Sequence, residues 1–390
     1  MSTTGSAIPE WAGPLAGVRV IEIAGLGAAP FCGMVLADLG ADVIRVDRSD
    51  RVVGRHTSST QHDLSNRGKR SIGVDLKHPE GVGIALRLAD DADLFIEGFR
   101  PGVAERLGIG PAQILARNQA LVYGRMTGWG QDGPLAGTAG HDIDYIALSG
   151  ALHAVGTPST PLPPVNLVGD YGGGGMLLAV GLLAGLIRAR STGEGQIVDA
   201  AMLDGSALLT TPMHGYIAEG FWTQQRGANL LDGGAPFYSV YETADGGHMA
   251  VGAIEPQFFA VLLEALEIPP DSIGAQSDRE RWPEMRTRLA ARFLERSRDE
   301  WARLLQGLDA CVAPVLAPSE APRHQHNMER GVFVEVEGLL QPAPAPRFSG
   351  TPASVPTGPV YPGRDTDGIL ASLGLTGDDI SKLRQVGAVA

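Results

Sequence analysis

Val18-Arg19-Val20-Ile21-Glu22-Ile23-Ala24-Gly25-Leu26-Gly27-Ala28-Ala29-Pro30 and, a little further on, Asp42-Val43-Ile44-Arg45-Val46-Asp47 decide the fold. The first six residues are short and mostly β-branched, which suits a strand. A glycine-bearing turn follows, then a helical stretch from Phe31 to Leu39 that Gly40 stops. Asp42 to Asp47 is the next strand. The same alternation runs outward through Ser71–Leu76, a helix over Pro79–Ala89, Ala92–Glu97, a helix over Pro111–Asn118 and Leu121–Met126. Strand and helix alternating at this spacing predict an α/β protein with a parallel sheet and helices on its faces.

Beyond Pro134 the pattern changes. Residues 141–153 read as a helix after Gly140, and a Pro-rich loop over 158–164 leads to Asn166-Leu167-Val168-Gly169-Asp170. A glycine run, an apolar helix to about Arg190, a strand over 195–200 and a helical stretch around 202–220 come next. Two strands around Asp245-Gly246-Gly247, helices over 256–306 and a strand from Cys311 to Leu316 follow. The chain is then Pro-rich and aperiodic to Pro362, and ends in amphipathic helix over 365–386. A length of 390 residues exceeds what one core usually holds. The expected division is a large Rossmann-like domain over 1–200, linker helices over 201–232, a smaller α+β domain over 233–320, and a return segment over 321–390 that completes the large domain.

Composition narrows the function classes. Hydrophobic residues make up 44% and charged residues 19%, an ordinary globular balance. The net charge of −13 argues against nucleic acid or an anionic membrane as a general partner. Residues 1–13 carry no secretory pattern and the C-terminus no peroxisomal one, so the expected location is cytoplasmic. The longest apolar stretch, Met176 to Ile187, falls short of the ~20 residues of a membrane span. Cys32 and Cys311 form no disulfide framework and are expected as reduced core thiols.

Several motifs bear chemistry, each with a structural reading beside it. Gly25-Leu26-Gly27 opens a helix about 20 residues before Asp47, as a dinucleotide fingerprint would. Pro30 stands where a third small residue belongs, so a tight turn is the better reading. Arg45, Arg48, Lys69, Arg70, Lys77 and Arg100 lie at or near strand ends, where a parallel sheet gathers them on one crevice suited to a polyphosphate such as coenzyme A. A nucleotide would fit as well. His141 follows Gly140 at a helix start, where the dipole favours the neutral imidazole a general base needs. Asp170 could be an N-cap, but Gly172–Gly175 cost ~1 kcal/mol each in a helix relative to Ala. The expectation is a ligand approaching bare backbone, with N–H groups able to hold an oxyanion. Glu255 precedes a Pro-initiated helix and could orient a histidine. His324 and His326 lack a third ligand at metal spacing and read as solvated; no metal site is expected. Phe237, Tyr238 and residues 202–213 could line an acyl surface, with core packing the plainer reading.

Assembled, these segments resemble the α-methylacyl-CoA racemases of the family III CoA-transferase superfamily over roughly residues 14–350. The carrying stretches are Val43–Arg48, Arg67–Ser71, Glu97-Gly98-Phe99-Arg100-Pro101-Gly102-Val103, Arg125–Gln131, Ala139-Gly140-His141-Asp142-Ile143, Leu167–Asp170, Leu231–Pro236, Val251–Phe258 and Asp309–Val312. The aspartate before the glycine run is similar across the superfamily; the Gly-His-Asp and Glu-Pro-Gln-Phe segments are similar to the racemase branch. The resemblance implies catalytic roles for His141, Asp170 and Glu255. It implies CoA contacts at Arg48, Val74, Asp75, Leu76, Lys77 and Arg100, and along Gly140, Asp142, Ile143, Asp144 and Tyr145. The family usually has Asn where this chain has Asp144. It also implies an interlocked homodimer whose active sites each draw on both chains.

The expected activity is cofactor-free inversion of the α-carbon of a 2-methyl-branched acyl-CoA, with coenzyme A part of the substrate. His141 takes the proton from one face and Asp170 delivers one to the other. The alternative enzyme is a CoA transferase with Asp170 as nucleophile; a non-catalytic acyl-CoA binder is the third reading. Branched fatty acyl, bile-acid-type and 2-arylpropionyl chains all stay open.

Overall fold

A computed structural model describes residues 13–390; the reading of the extreme N-terminus lies outside them. Six strands, β1 (Arg19–Ile23), β2 (Asp42–Arg48), β3 (Arg70–Val74), β4 (Leu94–Glu97), β5 (Val122–Thr127) and β6 (Ile197–Ala201), form one sheet in the order β3-β2-β1-β4-β5-β6. Every pairing in it is parallel. This is the doubly wound order, whose switch point between β1 and β4 opens a crevice at the strands' carboxyl ends. Side chains alternate between two cores, as the pleat requires. Ile21, Ile44, Phe95 and Tyr123 face one, shared with the Pro79–Asp90 helix and the C-terminal Thr366–Ser372 and Gly377–Gln385 helices. Val20, Val43, Leu94 and Val122 face the other, shared with the Ala28–Asp38 and Leu177–Thr192 helices. The return segment is tied to β3: Ser71 N–H donates to Asp365 at 2.9 Å and Gly73 N–H to the Thr366 hydroxyl at 3.1 Å.

The chain divides into two units, one of Val165–Leu209 and Arg330–Ala390 with the residues up to Ser149, the other of Gly150–Pro164 and Thr210–Glu329. The boundaries differ from those expected. The Pro-rich loop over 158–164 belongs to the second unit, whose Arg226 guanidinium donates to the Thr157 carbonyl at 2.6 Å. Most of the expected linker, from Thr210, belongs there too, and the return begins at Arg330. The second unit is α+β. Strands β7 (Tyr238–Glu242), β8 (His248–Gly252) and β9 (Val312–Pro314) form an antiparallel sheet. Its core joins Tyr241, Met249 and Val251 to Phe259, Leu262, Met285, Phe293 and Trp301. Phe237 is core here, edge-on to Phe259 and Trp282.

Three expectations are corrected. Three of the six cations expected on the crevice, Arg45, Lys69 and Arg70, pair with carboxylates inside the unit instead, as does their neighbour Arg67. Lys69 is fully buried and bonded to Glu22 at 2.8 Å, Arg45 to Asp47 at 2.7 Å, Arg70 to Asp42 at 2.6 Å, and Arg67 to Asp38 at 2.5 Å. These cations answer carboxylates inside the unit, because a buried charge needs a partner; Arg48, Lys77 and Arg100 are the members left exposed. Cys32 is buried, and burial pushes its thiol up, but Cys311 is exposed. The apolar helix is also longer than its sequence suggested. A π-helical stretch, Leu167–Met176, runs straight into Leu177–Thr192, a 26-residue run that by length and composition could cross a membrane. Leu178, Leu182 and Leu186 of this run are buried in the sheet's second core.

Candidate active site

His141 owes its position to glycine. A β-carbon on Gly140 would lie 2.7 Å from the Tyr145 ring and 2.9 Å from the Trp129 ring. The two rings meet edge to face at 4.7 Å, so the backbone before His141 is seated where no side chain fits. Tyr145 in turn lies across Gly128, where a β-carbon would be 2.0 Å from its Cζ. His141 is then the extended N-cap of the Asp142–Leu148 helix, and its side chain is exposed. Its backbone N–H donates to Asp144 Oδ2 at 2.9 Å, the returning half of a capping box. Asp144 therefore helps begin this helix.

Asp170 stands in the π-helical stretch, half-buried. Asn166 donates from Nδ2 to Asp170 Oδ2 at 2.6 Å. Gly27 closes the other side: a β-carbon there would lie 3.1 Å from Asp170 Oδ2, and its φ of 71° is left-handed. The Gly25-Leu26-Gly27 turn thus makes room for a carboxylate. Asp142 links the two candidate bases. It is 6% exposed, and its Oδ1 accepts the Asp170 N–H at 2.7 Å. Burial pushes its carboxyl up, and the Asp170 charge adds to that. Tyr145 is likewise pushed up by burial, then by Asp170 and Asp144, with Arg100 opposing. Tyr145, Asp142, Asp144, Asp170 and Arg100 are therefore electrostatic neighbours.

The glycine run does not do what its composition suggested. A β-carbon on Gly173 would lie 2.6 Å from the Ser206 nitrogen, one on Gly175 2.7 Å from the Ala28 carbonyl, and one on Gly205 1.8 Å from the Gly173 carbonyl. These residues let the run press backbone to backbone on the Ala28–Asp38 and Met202–Leu209 helices. The nearby amides are also engaged: Asp170 N–H by Asp142, Tyr171 N–H by the Asn166 carbonyl at 3.2 Å. Two of the amides expected as oxyanion donors, those of Asp170 and Tyr171, are thus already used.

At the carboxyl ends of β1 to β3, a cavity of about 410 Å³ is lined by Arg48, Val74, Asp75, Leu76 and Lys77, with Ala24, Asp47, Phe99, Val103 and Leu107 among the rest. Its size is that of a small-ligand site. The five residues expected to meet coenzyme A after β2 and β3 are thus brought together. Arg48 carries its charge outward and donates from Nε to Asp50 at 3.0 Å. Arg100, Gly140, Asp142, Ile143, Asp144 and Tyr145 do not line this cavity. The loop bearing Phe99 and Arg100 is fixed from below: Phe99 N–H donates to Glu97 at 2.7 Å, and buried Glu97 accepts from Arg125 Nε at 3.1 Å. Burial pushes the Glu97 carboxyl up, and the Phe99 amide and Arg125 oppose it.

Glu255 belongs to the second unit. It is the exposed N-cap of the Pro256–Ala265 helix. Gln276 steadies the turn before it by donating to the Ala253 and Ile254 carbonyls at 2.9 and 2.8 Å. His324 and His326 are exposed, and among the described residues no group of three or more His, Cys, Asp and Glu is placed to hold a metal ion.

This chain belongs to CoA-transferase family III, whose sequence pattern matches residues 15–366. Within that class it is 45% identical over 373 residues to the alpha-methylacyl-CoA racemase of Mus musculus, covering 95% of this chain and 96% of that one. It is 42% identical over 375 residues to the alpha-methylacyl-CoA racemase of Homo sapiens, with 95% and 96% covered. Among solved structures, a CaiB/BaiF family protein from Brucella suis superimposes with a TM-score of 0.81 at 25% identity, covering 93% of this chain and 100% of that one.

Proposed function

We propose that this chain inverts the α-carbon of 2-methyl-branched acyl-CoA thioesters by two-base proton transfer, without a cofactor beyond the coenzyme A of the substrate. The observation that carries this reading is the joint placement of His141 and Asp170: one carboxylate, Asp142, begins the helix beside His141 and binds the backbone of Asp170. The nucleotide end of the substrate occupies the cavity at Arg48 and Val74–Lys77, so that remote binding holds the thioester in reacting geometry. His141 removes the α-proton, and electrons move from the breaking C–H bond into the thioester carbonyl to give an enolate-like species. Protonated Asp170, held by Asn166, delivers a proton to the opposite face. The reverse direction exchanges the roles.

Glu255 orients His141 across an interlocked homodimer, in which each site takes residues from both chains. The protein works in the cytoplasm, off the membrane, in branched fatty acyl metabolism. The 45% identity to a named racemase supports the inversion reaction itself.

The test follows deuterium from solvent into the α-carbon of a panel of 2-methylacyl-CoA thioesters. The wild-type enzyme is expected to wash label in with no second substrate. His141→Ala and Asp170→Ala are each expected to lose roughly 100-fold or more in exchange with CoA affinity kept. Near wild-type racemisation in Asp170→Ala overturns the two-base mechanism. An acyl anhydride or CoA thioester on Asp170, detected by mass spectrometry, replaces it with CoA transfer.

A further inference from the structure

Helix starts leave amides without partners, and the residue before the helix usually supplies one from its side chain. The Leu167–Met176 stretch departs from that rule. Its N-cap, Asn166, makes no side-chain cap bond; its amide instead reaches the Asp170 carboxylate at 2.6 Å. Capping falls to a residue 28 positions earlier: Asp142 Oδ1 accepts the Asp170 N–H at 2.7 Å. The fit is close, since a β-carbon on Gly169 would lie 2.3 Å from the same oxygen. Asp142 is nearly fully buried and adjoins His141 in the chain.

We infer that Asp142 is a positioning residue: its carboxylate caps the helix that carries Asp170 from the start of the helix that carries His141, and so fixes the spacing of the two bases. This assignment rests on the two-base reading above. It differs from a CoA contact, because the bond made is to backbone inside the unit. By taking over the cap, Asp142 leaves Asn166 free to hold the reactive carboxylate.

The test compares Asp142→Ala with Asp142→Asn, whose side-chain oxygen still accepts. Two readouts are taken on the full-length protein. In α-proton exchange, Asp142→Ala is expected to lower kcat roughly 10- to 100-fold with KM for the acyl-CoA nearly unchanged, and Asp142→Asn to recover most of it. In amide hydrogen exchange, peptides covering 167–172 are expected to lose protection in Asp142→Ala and keep it in Asp142→Asn. Unchanged protection in Asp142→Ala overturns the proposal, as does a rise in KM with kcat intact, which would make Asp142 a CoA contact. Absence of α-proton exchange in the wild-type enzyme sinks the racemase reading, and the protection data still decide the role of Asp142. Where Asp142→Ala does not fold, Gly169→Ala displaces the same oxygen and is expected to give the same pattern; normal protection and kcat there overturn the proposal too.

Discussion

Asn166 is the residue that reading along the chain passed over. It stands four positions before Asp170, and that spacing was a usable signal, because four residues bring side chains onto one face of a helix. The 2.6 Å bond it donates fixes Asp170 Oδ2 and, opposite Gly27, confines the carboxylate. Asn166→Ala is expected to lower kcat for α-proton exchange roughly tenfold or more, as loss of a hydrogen bond to a charged group implies, with KM little moved. Asn166→Asp is expected to be worse, since it sets a second carboxylate against the first; an Asn166→Asp enzyme as active as wild type would remove Asn166 from the site. His141 and Asp170 were legible as candidates from the glycines beside them. Asp142 was legible only as a neighbour of His141, since its partner is 28 residues away. The cations misled for the same reason: Glu22 and Asp42, which neutralise Lys69 and Arg70, lie on strands distant in sequence.

At the scale of elements, five of the six parallel strands could be read in advance because β-branched runs alternate with punctuated helices; the sixth was legible as a strand, but its place beside β5 was not. The hairpin of Phe333–Val336 and Leu339–Pro342 was not read, although Glu337-Gly338 between two apolar runs marks it. The glycine run was recognised as unfavourable for a helix and given the wrong cause. Its cause is packing: the atoms that a β-carbon on Gly173 would strike belong to Gly205 and Ser206, and backbone cannot step aside as a flexible side chain can. Gly173→Ala is therefore expected to destabilise the protein by about 1–3 kcal/mol, as overpacking does, and to lower the thermal midpoint. Gly83→Ala is the control. It lies within the Pro79–Asp90 helix, and its β-carbon would meet nothing within 4 Å. That change is expected to stabilise by about 0.4–1 kcal/mol through the unfolded chain. Calorimetry of both variants checks the pair. A Gly173→Ala protein with wild-type stability and weakened acyl-CoA binding would restore the idea of ligand against bare backbone.

At the scale of the whole molecule, the long helical run that carries Asp170 is apolar on more than its packed side. Leu167, Val180 and Ile187 are 65%, 59% and 73% exposed, and a helix apolar all round calls for a further partner. A second copy of the chain is the proposed partner, and its consequence for the site can be tested without a structure of the pair. His141→Ala and Glu255→Ala are each expected to be nearly inactive. Coexpressed, they form mixed dimers. If each site takes His141 from one chain and Glu255 from the other, one site of a mixed dimer carries both substitutions and the other carries neither. With random pairing under two-fold symmetry, half of the dimers are mixed and half of their sites are intact, so roughly a quarter of wild-type activity returns. If both residues come from the same chain, every site carries one substitution and activity stays between those of the parents. Light scattering on the same sample supplies the other half of the argument, since restored activity requires a species of twice the 40.8 kDa chain mass. A dimer in which mixing restores nothing overturns the two-chain site, as does a monomer by mass, whereas a Glu255→Ala enzyme as active as wild type returns Glu255 to a purely local role at the start of its own helix.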